Sequence, residues 1–214
     1  MPFVTTEKNA ALAAMSANIL DVGIHTLVDP GLGTTANAGE ASGGSYARQG
    51  VTWATAASGL QSNSNAITVP VPAGTYGFVT FWNAATGNTA GIYQGYSPMG
   101  GASAIKGFAQ VDPTFANADF FCAGHGLSNG NTLFLYADFG GAYPTTLATG
   151  TLYYVVGATT NTFQLSLTLG GSAIVLTALG AGVFYWQRIV SEVFNAAGNI
   201  TIAIGALVLD ATAM

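Results

Sequence analysis

His25 and His125 are the side chains in this sequence best suited to chemistry. An imidazole works as a metal ligand or general base only where other donors converge on it. His25 stands in an extended run with no acid or cysteine at ligand spacing. His125 lies in GHGLSNG, and Asp119, Cys122 and His125 follow one another at intervals of three. That spacing is thin as a site, and a turn histidine bonded to backbone is the preferred reading. Ser42, Ser45 and Ser128 lack a G-x-S-x-G context. Gly43-Gly44 is not followed by the lysine of a phosphate loop. Asp112, Asp119 and Asp138 do not fall in a calcium-loop pattern. Nine acids leave room for a carboxylate pair, but no hydrolase motif accompanies them. The expectation is a protein that is not an enzyme, with no cofactor and no metal.

Arg48 is one of only four basic residues. A planar guanidinium forms a two-point fork with a carboxylate. Arg48 is therefore expected to pair with Glu40, with Asp29 or with a neighbouring subunit, and so to pin the long 29–44 loop. The alternative is a solvent-facing strand residue. Adjacent aromatics Phe81-Trp82, Tyr153-Tyr154 and Tyr185-Trp186 must point to opposite faces of a strand. One member of each pair should leave its own core unless both faces are covered. Arg48, Trp82, Tyr154 and Trp186 are the candidate interface residues on this argument.

The elements that must position these groups follow from composition and pattern. Half of the 214 residues are apolar and 6% are charged, against roughly 25% in ordinary soluble domains. The surface should be neutral-polar, or hidden in an assembly, or both. A net charge of −5 with scattered Lys8, Arg48, Lys106 and Arg188 excludes nucleic acid as a partner. The single Cys122 allows no internal disulfide and reads as a small buried hydrophobe. Met1-Pro2-Phe3 does not open a signal peptide, and the apolar runs are too short to span a membrane. Manufacture and assembly in the cytoplasm without membrane insertion is the expectation.

Ala11, Leu12, Met15 and Ile19 recur at helical spacing after Thr5 or Thr6 as N-cap, which predicts a helix at about 6–18. Short β-rich runs separated by Gly, Ser and Asn turns follow. They lie at 22–28, 51–54, 66–71, 76–83, 92–96, 107–111, 119–123, 132–136, 151–156, 162–167, 173–177 and 183–189. Residues 199–209 give one long strand or two short ones. The fold class is all-β: an antiparallel sandwich or jelly-roll-like domain with a short N-terminal helix and an inserted second small β domain.

Particular motifs carry a resemblance. After an Ala-rich helix come DPG at 29–31, GGSYARQ at 43–49, VPAGT at 71–75 and W-x-A-x-x-G at 82–87. Their order is similar to that in small structural proteins encoded among the tail and minor structural genes of phages of actinobacteria. In those proteins a closing segment follows shortly, and its counterpart here, EVFNAAGNITIAI, begins only at Glu192. The resemblance implies a discontinuous first domain, 1–104 plus 191–214, with an insertion at 105–190. The insert's 124–136 and 150–177 text resembles a small β module of phage tail and fibre proteins.

That likeness implies a tailed-phage virion structural protein, a minor tail or tail-fibre-associated subunit. It would self-associate, with a trimer favoured, and bind other virion proteins. A host-surface glycan is a further partner for the insert. Capsid decoration and a carbohydrate-binding module are the alternatives.

Overall fold

The computed structural model describes residues 3–27, 39–84, 91–100, 106–111, 119–137, 143–144, 146–148, 151–176 and 184–212. Within them the chain is all-β, antiparallel, with one short helix. Most of the 29–44 loop, Asp29, the 85–88 part of the expected hairpin, Asp112 and Asp138 lie outside the described residues.

The helix α1 spans Thr5–Ser16. Its N-cap is Val4 rather than a threonine, and Glu7 takes over the capping task by accepting from the Val4 N–H at 3.2 Å. Thr5 and Thr6 sit inside the first turn, where a carboxylate one turn in suits the free N–H groups. The chain divides into two compact units. One comprises Met1–Thr26, Pro30–Ser97 and Glu192–Met214, the other Leu27–Asp29 and Pro98–Ser191.

The first unit is built on β1 (Asp21–Thr26) paired along its length with β5 (Gly74–Trp82). On the far side of β1 lies β2 (Gln49–Gly50), and on that of β5 lie β13 (Glu192–Phe194) and β6 (Tyr93–Pro98). Period-two alternation sorts the faces. Val22 and Ile24 stand opposite Phe81 and Val79 and make an apolar face. Asp21, Gly23 and His25 stand opposite Trp82, Thr80 and Phe78 and make a second face, also buried. Two ribbons complete the unit. In one, β4 (Ile67–Val71) pairs β14 (Gly198–Ile202) and buries Ile67, Val69 and Val71 with Ile200 and Ile202. In the other, β3 (Leu60–Ser62) pairs β15 (Val208–Asp210).

The end of the chain is therefore two short strands. The turn between them is held by buried Asn63, which donates to the Ala203 carbonyl and accepts from the Leu207 N–H. Residues 51–54 are not a strand, although Trp53 makes an isolated bridge to Asn63. Strand β3 went unread in the sequence because its Leu-Gln-Ser text has no apolar alternation.

The second unit is a closed barrel. Its strands are β7 (Lys106–Val111), β8 (Phe120–Phe121), β9 (Thr132–Ala137), β10 (Leu152–Val156), β11 (Thr162–Ser166) and β12 (Phe184–Ile189). The order β10-β11-β8-β7-β12-β9 returns to β10, every pair antiparallel. Inward residues Leu133, Leu135, Tyr153, Val155, Phe163, Leu165 and Trp186 fill it. Trp186 is accommodated because Gly107 stands directly opposite, where a Cβ would lie 2.7 Å from the indole. The expected strand at 173–177 does not form among its described residues. Ile174 bonds to Leu165, but the Val175 carbonyl is taken by the Thr146 hydroxyl, which interrupts a ladder.

Candidate functional site

The GGSYARQ segment closes over the polar face of β1 and β5. Arg48 and Glu40 form a two-point ion pair, Nε to Oε1 at 2.6 Å and Nη2 to Oε2 at 2.7 Å. Tyr46 donates its hydroxyl hydrogen to Glu40 Oε1 at 2.7 Å and accepts from the Ile24 N–H at 3.1 Å. The Arg48 guanidinium lies over the Trp82 ring, 3.3 Å from its centroid, and the indole N–H donates to Thr80 Oγ1 at 3.0 Å. The pairing of Arg48 with Glu40 is thus one of the partnerships expected from the sequence. Burial and the Glu40 charge together push the Tyr46 phenol far above its ordinary range, so it serves as a permanent donor.

Gly23 makes the clamp possible. A Cβ there would come within 2.9 Å of Thr80 Oγ1 and 3.0 Å of both Glu40 Oε1 and the Tyr46 oxygen. Gly23→Ala should therefore destabilise the protein by about 2 kcal/mol, a typical overpacking penalty. Gly50→Ala, whose added Cβ would meet its nearest neighbour at 3.9 Å, should stay near neutral, and denaturant titration of the two variants checks both.

Two polar groups beneath the clamp have unmet bonding capacity. Asp21 Oδ2 is buried without a hydrogen-bond partner, and burial raises the Asp21 pKa, with the Arg48 charge working against it. His25 is 0% exposed, and neither ring nitrogen has a hydrogen-bond partner. Burial pushes its pKa down to about 4, with Glu40 acting upward and Arg48 downward.

The expected interface residues land differently. Trp82 and Trp186 are each 2% exposed, which corrects the expectation that they face outward. Phe81 is buried as well, because the sheet of the first unit is covered on both faces. At the barrel pair the order is reversed: Trp186 turns in and Tyr185, 39% exposed, turns out. Tyr154 is half-buried opposite buried Tyr153. Arg48 is buried in the ion pair. Most of the exposed large apolar side chains that sequence reasoning missed are aliphatic, among them Leu167, Leu169 and Val175 in the second unit and Ile204 and Val208 in the first. Their alternation in short turn-rich text carries no sign of which face is covered.

His125 is buried and structural. Its Nδ1 accepts from the Leu127 N–H at 2.9 Å, so the ring hydrogen sits on Nε2 and is donated to the Thr162 carbonyl at 3.1 Å. Both nitrogens are used, and Asp119, Cys122 and His125 do not converge. Among the described residues no cluster of metal-ligating side chains occurs. No helix among them is long and apolar enough to cross a membrane.

Residues 9–112, just under half of the chain, match a family model described as Gp80, podophage GP4 fiber I protein gp80. The matched span carries most of the helix, the entire clamp and the first barrel strand. No curated protein and no solved structure matches the chain. Over that span the chain is similar to a podophage fibre protein. The family it resembles is a structural one, not an enzyme family.

Proposed function

We propose that this chain is a minor tail or tail-fibre-associated subunit of a tailed-phage virion, of the type carried by phages of actinobacteria. It works by protein–protein contact as a homo-oligomer, with a trimer favoured. The second unit is a β module inserted into the first. The observation that carries the proposal is the fibre-family likeness over the span that contains the helix and the clamp. The surface agrees with it. No Asp, Glu, Lys or Arg occurs from 139 to 187, and Leu167, Leu169 and Val175 in that stretch are exposed. Such a surface suits contacts made by apolar and neutral side chains.

Sedimentation of the purified full chain tests this. The expected result is a discrete oligomer whose mass barely changes between low and high salt, since charge screening has little to act on. A stable monomer at all concentrations would count decisively against it. Binding of a host-surface glycan by the second unit is the companion reading, favoured by Tyr185 at 39% and Phe121 at 49% exposure on barrel strands. Imaging virions carrying a labelled copy separates tail from capsid-surface decoration.

A further inference from the structure

His25 is the ionisable group that the clamp buries without using. The bonds Thr26 N–H to Gly39 carbonyl, 2.9 Å, and Ala41 N–H to Ile24 carbonyl, 2.8 Å, bracket the His25–Glu40 bridge. That makes it a non-hydrogen-bonded antiparallel pair, the kind whose side chains lie closest. The imidazole therefore sits at the root of the clamp, beside the residue that Tyr46 and Arg48 grip. As a neutral ring it fits. As an imidazolium it would carry a buried charge and a second N–H donor in packing where neither ring nitrogen has a hydrogen-bond partner.

We infer that His25 makes the Glu40–Arg48 segment an acid-released latch, closed on the sheet while the imidazole is neutral and lifted when the ring takes a proton. The groups around the ring set the direction. Burial opposes protonation most strongly, Glu40 favours it and Arg48 opposes it. From β5, Phe78 opposite and Thr80 and Trp82 beyond it bring no charge. From β6, Tyr96 and Tyr93 pack edge-on against Phe78 and Trp82. On β1 itself, Asp21 is shifted by burial in the opposite sense, so its protonation favours the closed form in stronger acid. The Tyr46 phenol keeps its proton throughout.

The sign follows from linkage. With the latch open, the ring titrates at its ordinary value of 6.5; closed, it titrates at about 4. Each pH unit lost between those values therefore favours the open form about tenfold. Above 6.5 His25 contributes no pH dependence.

Amide hydrogen exchange on the full chain, corrected for intrinsic rates, reads the latch directly. Between pH 7 and pH 5, protection at Thr26 and Ala41, and at Ile24, whose N–H donates to Tyr46, should fall about 20-fold. Leu20, bonded to Trp82, and Ile174, bonded to Leu165, should hold theirs. His25→Phe should keep the latch amides protected at both values. Unchanged wild-type protection, or an equal loss in His25→Phe, would overturn the inference. A second measurement stands apart from that variant's folding, namely the His25 ring signal of the wild type titrated by NMR. A midpoint well below 6.5, with latch opening tracking it, supports the latch; a midpoint near 6.5 with the latch amides still protected overturns it.

Discussion

Arg48→Ala is expected to destabilise the protein by about 3–5 kcal/mol, the cost of leaving a buried carboxylate without its cation. The geometry explains why the effect is large. Glu40 is gripped through both oxygens, at 2.6 and 2.7 Å, and water does not replace the fork where both side chains are buried. The guanidinium also lies 3.3 Å over Trp82, so its removal uncovers an indole face. Arg48→Lys should recover little, since a point charge reproduces neither the fork nor the stacking. The paired replacement Glu40→Leu with Arg48→Met should be milder than either single change, because no charge is then stranded. Denaturant midpoints for the wild type, the single variants and the double variant check this. Equal losses in single and double variants would show that packing, not charge pairing, holds the segment down.

Trp186→Ala should cost the second unit about 3–5 kcal/mol, the range for truncating a large buried aromatic. Trp186 is 2% exposed and packs edge-on against Phe163, centroids 6.1 Å apart, which in turn stacks on Phe120 at 5.4 Å. Its Nε1 hydrogen has no hydrogen-bond partner. Trp186→Phe removes that orphan donor and keeps a ring in place, so it should cost much less than the alanine change. Gly107→Ala attacks the same contact from the opposite strand, pressing a methyl group to within 2.7 Å of the indole. Thermal unfolding followed by near-ultraviolet circular dichroism ranks the variants. An alanine variant no worse than the phenylalanine one would mean that the barrel does not depend on this ring.

Much of the architecture was legible because strand alternation and turn chemistry are local. The runs at 66–71 and 132–136 announce themselves through β-branched and aromatic residues, and β4 and β9 form there. The Arg48–Glu40 pair was legible as scarcity: one cation with Glu40 and Asp29 as its candidate acids in the chain. Its setting was not. Gly23 reads as an ordinary strand glycine until β5 and the 40–48 segment are both laid against it. Orientation of the aromatic pairs failed for a related reason. Alternation says that neighbours part, but not which member meets the core, and at Phe81-Trp82 both are covered. Burial of His25 without partners was invisible too, since an imidazole in DVGIHT looks the same exposed or enclosed.

The closed barrel has a consequence for growth of a particle. Each of its strands already has a neighbour on either side, so the barrel offers no open backbone ladder to a foreign strand among the described residues. It cannot be lengthened into a fibre by template addition, nor trade a strand at its rim without first breaking the ring. Assembly by strand donation would fall to the first unit, whose described strands form open sheets rather than a closed ring. Addition of subunits would then be limited to defined sites, which suits a structure that must reach a fixed size and stop.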